Sequence, residues 1–138
     1  MLRFTKILVA GTGVLGLASC LTNYPALRVT AEGNLQHGVA FYFSDSYRQH
    51  PPPFEVRRLE VSERLSNGND MVIWEINGKQ GLRWIAYGVK YLGLEQVRSA
   101  SPLQRGKRYS VYIDSNGGFE LIGFLIDEAG RVVQVPWR

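Results

Sequence analysis

The stretch Tyr109-Ser-Val-Tyr-Ile-Asp-Ser-Asn-Gly-Gly-Phe-Glu-Leu-Ile-Gly-Phe-Leu-Ile126 reads as two strands around a turn. Tyr109, Val111 and Ile113 share one parity while Ser110 and Asp114 bracket the other, a period of two that a helix does not produce. One side of that strand is therefore apolar and the other wet. Asn116-Gly117 supplies the residue types that accept positive φ in a hairpin turn. The second strand, Phe119 to Ile126, is apolar at both parities through Leu121-Ile122 and Phe124-Leu125-Ile126. Such a strand is either buried on both sides or covered by a partner.

The same signals recur on either side of this hairpin. Leu27 to Thr30, Val39 to Ser44, Phe54 to Ser62, Met71 to Ile76, Leu82 to Val89 and Arg131 to Val135 are rich in β-branched and aromatic residues. Asn67-Gly68, Asn77-Gly78 and Ala129-Gly130 punctuate them. Met71-Val72-Ile73-Trp74 is also apolar on both phases and carries the same expectation of two-sided burial or a covering partner. Between Phe54 and Val61 the apolar phase jumps across Arg57-Arg58, which predicts a β-bulge or a strand that changes sheets. Only Tyr91 to Arg98 suits a turn or two of helix. The expected fold is all-β, a single small β-sandwich over residues 27–138.

Leu103-x-x-Gly106-x-x-Tyr109-x-Val111-x-Ile113, followed by Asn116-Gly117-Gly118, resembles the tyrosine corner of immunoglobulin-like and fibronectin type III sandwiches. The resemblance implies that the Tyr109 hydroxyl bonds back to upstream backbone and fixes a crossover between sheets. Trp74 takes the place of the core tryptophan such folds carry. The cysteine pair of antibody domains is missing, and a transthyretin-like sandwich or a small barrel fits the strand pattern as well.

The first twenty residues follow a different logic. Met1 to Lys6 holds two cations and no acid, Ile7 to Leu17 is an uncharged apolar run of eleven residues, and Leu17-Ala18-Ser19-Cys20 closes it. This order is that of a secretory signal over residues 1–19. Eleven helical residues reach about 16 Å at ~1.5 Å each, half of the ~30 Å hydrocarbon core, so a transmembrane helix is not expected. Leu17-Ala18-Ser19-Cys20 resembles a bacterial lipobox, which implies diacylglyceryl transfer to the Cys20 thiol, cleavage before Cys20 and acylation of the new amino group. Leu21 stands where an aspartate retains lipoproteins in the inner membrane, so the resemblance implies the outer membrane in a Gram-negative host. Residues 20–26 then form the lipidated cysteine and a tether of at most about 20 Å, six residues at ~3.3 to 3.6 Å each. A competing pattern, Gly11-Thr-Gly13-Val-Leu-Gly16 after an apolar run, spells a dinucleotide fingerprint. It fails because Pro25 stops the helix that must follow and no strand-helix alternation appears downstream.

Charge and composition narrow the chemistry. The 138 residues carry 16 basic and 12 acidic side chains, and removal of Arg3 and Lys6 with the leader lowers the formal charge from +4 to +2. Nucleic acid is not an expected partner. The single cysteine excludes a multi-cysteine metal site. His37 lies beside Gly38 and His50 before Pro51-Pro52-Pro53, outside any ligand spacing, so no metal or other cofactor is expected. No GxSxG elbow is present, and Asp127-Glu128 and Asn69-Asp70 fall in turns.

The candidate interaction features are two aromatic segments, Phe41-Tyr42-Phe43 with Tyr47 and Trp84 with Tyr87 and Tyr91. Two basic corners, Arg105-Lys107-Arg108 and Arg57-Arg58-Arg64, are candidate lipid head-group contacts, and the proline run is a stiff loop. Trp84 and Tyr87 have opposite parity in one strand, and Trp84, in phase with Leu82 and Ala86, is the expected exposed contact for a partner. Function is expected to be that of a non-catalytic, lipid-anchored envelope protein serving as a structural or protein-binding module. The alternatives are an accessory subunit of a secretion or pilus machine, and a periplasmic enzyme or inhibitor.

Overall fold

The structure is a computed structural model that describes residues 26–137. The expected leader, Cys20 and the expected tether up to Pro25 lie outside the described residues. Nine antiparallel strands and no helix make up the described chain. A three-stranded sheet contains β1 (Leu27–Asn34), β2 (Gly38–Asp45) and β5 (Trp84–Ala86), in the order β1-β2-β5. A six-stranded sheet contains β3 (Phe54–Arg64), β4 (Asp70–Leu82), β6 (Leu94–Arg98), β7 (Arg108–Ser115), β8 (Gly118–Ile126) and β9 (Val132–Val135), in the order β6-β4-β3-β7-β8-β9. The two sheets pack as a small β-sandwich, compatible with an immunoglobulin- or fibronectin-type domain.

Alternation builds the core. Val39, Phe41 and Phe43 of β2 and Val29 and Ala31 of β1 face Val111, Ile113, Ile122, Phe124 and Ile126 of the larger sheet, all buried. Phe124 joins the layers, with its ring 5.2 Å from Tyr109 on the neighbouring strand and 5.8 Å from Phe41 across the sandwich. Aromatic pairs at such separations add roughly 0.5 to 1.5 kcal/mol beyond burial.

The phase jump in β3 is a bulge. Val56 pairs with Ser115 and Arg58 with Asp114, which leaves Arg57 as an extra residue against β7 and returns Leu59 to the core. A second irregularity corrects the expectation for Met71 to Trp74. Val61 pairs with Trp74 and Ser62 with Val72, so Ile73 is an extra residue in β4, and Ile73 and Trp74 are both buried on one side of the sheet. Met71, beyond the bulge, is exposed. The run is doubly apolar because of the bulge, without a second covering layer. For β8 the expectation of two-sided burial also fails within the described residues: Ile122, Phe124 and Ile126 are buried, but Phe119 is 59% exposed and Leu121 and Leu125 are half-buried on the outer face.

The helical turns expected over Tyr91 to Arg98 do not form. Gly93 takes a φ of 82°, which ends any helix there, and Leu94–Arg98 pairs with the edge of β4. Gln96 of this strand accepts the Trp74 Nε1 proton at 3.3 Å, so the strand closes one side of the core. The ring of Tyr87 stands edge-on to Trp74 at 5.1 Å, and its hydroxyl donates to the Ser101 carbonyl at 2.5 Å. Burial pushes the Tyr87 hydroxyl well above the ordinary tyrosine range.

Tyr109 is buried and its hydroxyl accepts the Gln104 N–H at 2.8 Å, inside the stretch Leu103 to Gly106. Removing that oxygen leaves a partly buried backbone donor without its partner, at a cost of about 1 kcal/mol. Tyr109→Phe is expected to lower the urea midpoint accordingly, and an unchanged midpoint refutes the anchoring role of this hydroxyl.

The other side of the sandwich is closed at β1. Ala31 N–H donates to Gln134 Oε1 at 3.1 Å and Leu35 N–H to the Gly130 carbonyl at 2.8 Å, so side chain and turn cap the outer edge of β1. At its start, Ala26 N–H and Leu27 N–H both donate to the Gly117 carbonyl, at 2.9 and 3.1 Å. The chain thus enters the domain at the turn between β7 and β8.

Candidate functional site

In β2 the residues between the core positions face outward, which places Tyr42 on the open face of the three-stranded sheet. β5 follows the same rule: Ile85 is fully buried, and Trp84 and Ala86 point outward. The register pairs Tyr42 with Trp84 and Ala40 with Ala86. The two rings lie 6.1 Å apart at 27°, with 48% of Trp84 and 43% of Tyr42 exposed. Thr30 pairs with Tyr42 on the far side, and the exposed Arg28 and Glu32 stand on either side of Thr30 along the same face of β1. Tyr87, as its parity requires, packs on the opposite side, against the core.

Trp84 is held from behind. The Arg83 carbonyl accepts the Phe43 N–H at 2.9 Å, and Arg83 Nη1 donates to the Pro51 carbonyl at 2.6 Å, so the proline run and β5 brace each other. Between them runs an open cleft of about 550 Å³ lined by Phe43, Asp45, Arg48, His50, Pro51 and Arg83. Its acid is already engaged. Asp45 accepts Tyr47 N–H at 2.7 Å, Arg48 N–H at 3.1 Å and Arg48 Nε at 3.1 Å, and these bonds, the Tyr47 amide first, hold its carboxyl below the usual range. The cleft is a braced turn, with its carboxylate used to shape the loop.

Four of the six cations of the basic corners are taken up in ion pairs. Arg57 meets Glu55 at 3.3 Å, Arg58 meets Glu60 at 2.6 Å and Glu75 at 3.0 Å, Arg64 meets Asp70 at 2.9 Å, and Lys107 meets Glu63 at 3.6 Å. The Glu60 carboxylate in particular raises the Arg58 guanidinium above its ordinary value. Exposed pairs of this kind contribute about 0 to 1 kcal/mol, and they leave less charge for a ligand than the sequence clusters suggest. Cys20 lies outside the described residues.

The chain matches no protein-family profile, no curated protein and no solved structure.

The functional reading therefore rests on the chain's own surface. Among the described residues no three His, Cys, Asp or Glu side chains gather into a cluster suited to a metal ion. The stacked Tyr42–Trp84 pair is a flat, mostly apolar platform with two polar rim atoms, which suits contact with another macromolecule. Sequence reasoning singled out Trp84 but grouped Tyr42 with Phe41 and Phe43. Strict alternation along β2 is the signal that separates Tyr42 from its two buried neighbours.

Proposed function

We propose that the protein is a non-catalytic, lipid-anchored binding module of a bacterial cell envelope, held to the membrane through Cys20 and contacting an envelope protein with Tyr42 and Trp84. The observation that carries the binding half is the exposed, stacked aromatic pair on the outer face of the three-stranded sheet, where Arg28 and Glu32 of β1 border it. The anchoring half rests on the basic start, the short apolar run and Leu17-Ala18-Ser19-Cys20. Aromatic residues on a rigid sheet bring large contact area at low entropic cost, which is why they recur at the energetic centres of interfaces.

Cys20→Ser tests the anchor. A hydroxyl is a poor substitute for the thiol in acylation, and each acyl chain contributes about 0.8 kcal/mol per buried CH₂. The variant is expected to lose both the lipid mass and detergent-phase partitioning while its domain stays folded. If it partitions like the native protein and no lipid is incorporated in either, the anchor is refuted.

Trp84→Ala tests the contact. It is expected to reduce crosslinking to the envelope partner in intact cells and to leave the unfolding free energy within about 0.5 kcal/mol, the usual range for a surface change. A loss of ~3 to 5 kcal/mol, as for a core aromatic, assigns the ring to the fold and removes the site.

A further inference from the structure

The outer face of the six-stranded sheet is divided. On β3 and β4 it carries the ion pairs of Arg58 with Glu60 and Glu75. On β8, β9 and the segment after them it is apolar: Phe119, Leu121, Leu125, Val133, Val135 and Trp137 lie on it, with 59% of Phe119, 41% of Val133 and 40% of Trp137 exposed. Tyr112 extends this strip, its ring 6.2 Å from Phe119 at 29°. Ser62, Ser110, Gly123 and Val135 are successive cross-strand partners, and the chain at Trp137 crosses the sheet above Gly123. A Cβ at position 123 would meet Trp137 Cα at 2.7 Å, and Arg64 Nη2 donates to the Trp137 carbonyl at 3.1 Å. The backbone at Trp137 is thereby held against the outer face of the sheet.

The entry point of the chain decides what covers this strip. Ala26 and Leu27 are bonded to Gly117, two residues before Phe119. If the anchor is Cys20, the six residues from Cys20 to Pro25 reach at most about 20 Å. The strip from Phe119 to Leu125 runs six residue steps along β8, also about 20 Å at ~3.3 Å each. The lipid surface is thus tied to one end of an exposed apolar face of matching length. We infer that the outer face of β8 and β9, from Phe119 to Trp137, rests on the bilayer that holds the acyl anchor, so that the Tyr42–Trp84 face on the opposite side of the sandwich points away from it. This inference rests on the proposed anchoring at Cys20. Arg108, exposed and cross-strand to Leu125, supplies a cation at the far end of the strip for anionic head groups.

The three tryptophans make this testable, because Trp74 is buried, Trp84 reports one outer face and Trp137 the other. The acylated full-length protein, with lipid on Cys20 verified by mass, is placed in phosphatidylethanolamine–phosphatidylglycerol vesicles containing a phospholipid with brominated chains. Trp84→Phe, which keeps Trp137, is expected to lose emission to the bromine, while Trp137→Phe, which keeps Trp84, retains it. Quenching in Trp137→Phe but not in Trp84→Phe places the bilayer on the small sheet and overturns the inference. Equal quenching in both, or none in either, overturns it too; none in either, together with crosslinking of two copies through position 119, assigns the strip to a second copy. Absence of lipid on Cys20 refutes the anchoring reading, and the inference falls with it; lipid present without quenching of Trp137 refutes the inference alone.

Discussion

Trp74→Ala is expected to remove about 3 to 5 kcal/mol of stability, the range for deleting a fully buried large aromatic. Among the described residues Trp74 is the largest side chain with no exposure, and two separate contacts depend on it. Its ring is the partner of the edge-on Tyr87, its Nε1 proton goes to Gln96 of β6, and its neighbour Ile73 is turned inward by the bulge opposite Val61 and Ser62. Truncation opens a void beneath the short strand β6, whose remaining ties are its pairing with β4 and the packing of Leu94. A domain of ordinary stability holds only about 5 to 15 kcal/mol. With a urea m-value of about 1 to 3 kcal/mol/M, the midpoint should fall by more than about 1 M for the chain from residue 21 onward. A shift below that shows that the site collapses around the missing ring and that β6 is held by other contacts.

Gly33→Ala is the second large effect, expected near 3 kcal/mol, and its cause lies in the backbone. Gly33 has a φ of 112°, and a Cβ there would be driven into the carbonyl of Gly38 across the hairpin. Residues forced into such conformations carry roughly 1 to 3 kcal/mol of strain, and here the collision adds to it. Gly38 supplies the control, since its φ is 109° but a Cβ at that position meets nothing within 4 Å. The difference between Gly33→Ala and Gly38→Ala in urea midpoint therefore measures the collision apart from the strain. If the two variants unfold together, the carbonyl moves aside freely and the hairpin is softer than its register implies.

What was legible in the sequence followed from local physics. Strict alternation in Tyr109, Val111 and Ile113 located β7 and its buried side, and the shift between Val56 and Leu59 located a bulge, because both signals are carried by neighbouring residues. The segment Leu94–Arg98 was misread because its pairing partner is β4, well upstream, and only that pairing makes it extended. The doubly apolar runs were ambiguous for a similar reason. In Met71 to Trp74 the cause is an extra residue that only the register against β3 exposes. In Phe119 to Ile126 it is an apolar outer face that alternation alone cannot distinguish from a buried one. At the candidate site, Trp84 was legible from parity, whereas its stacking partner Tyr42 depends on a contact between β2 and β5, some forty residues apart.

The pinning of Ala26 and Leu27 also has a mechanical side. A pull at Ala26 directed along β1 would load a strand paired with β2 over its whole length, from Leu27 against Asp45 to Asn34 against Gly38. Antiparallel hydrogen bonds lie perpendicular to the strands, so a load along β1 strains all of these pairs in shear at once, where a pull across the sheet would unzip them singly. From β2 part of the load passes to β5 and Trp84, and part enters the six-stranded sheet directly through the bonds of Ala26 and Leu27 to Gly117 and of Ala31 to Gln134. A molecule held by its tether and by a partner on Trp84 would thus load the β1–β2 ladder together with the bonds that tie β1 to the larger sheet, so that the tether cannot peel β1 away without first breaking its contacts with Gly117.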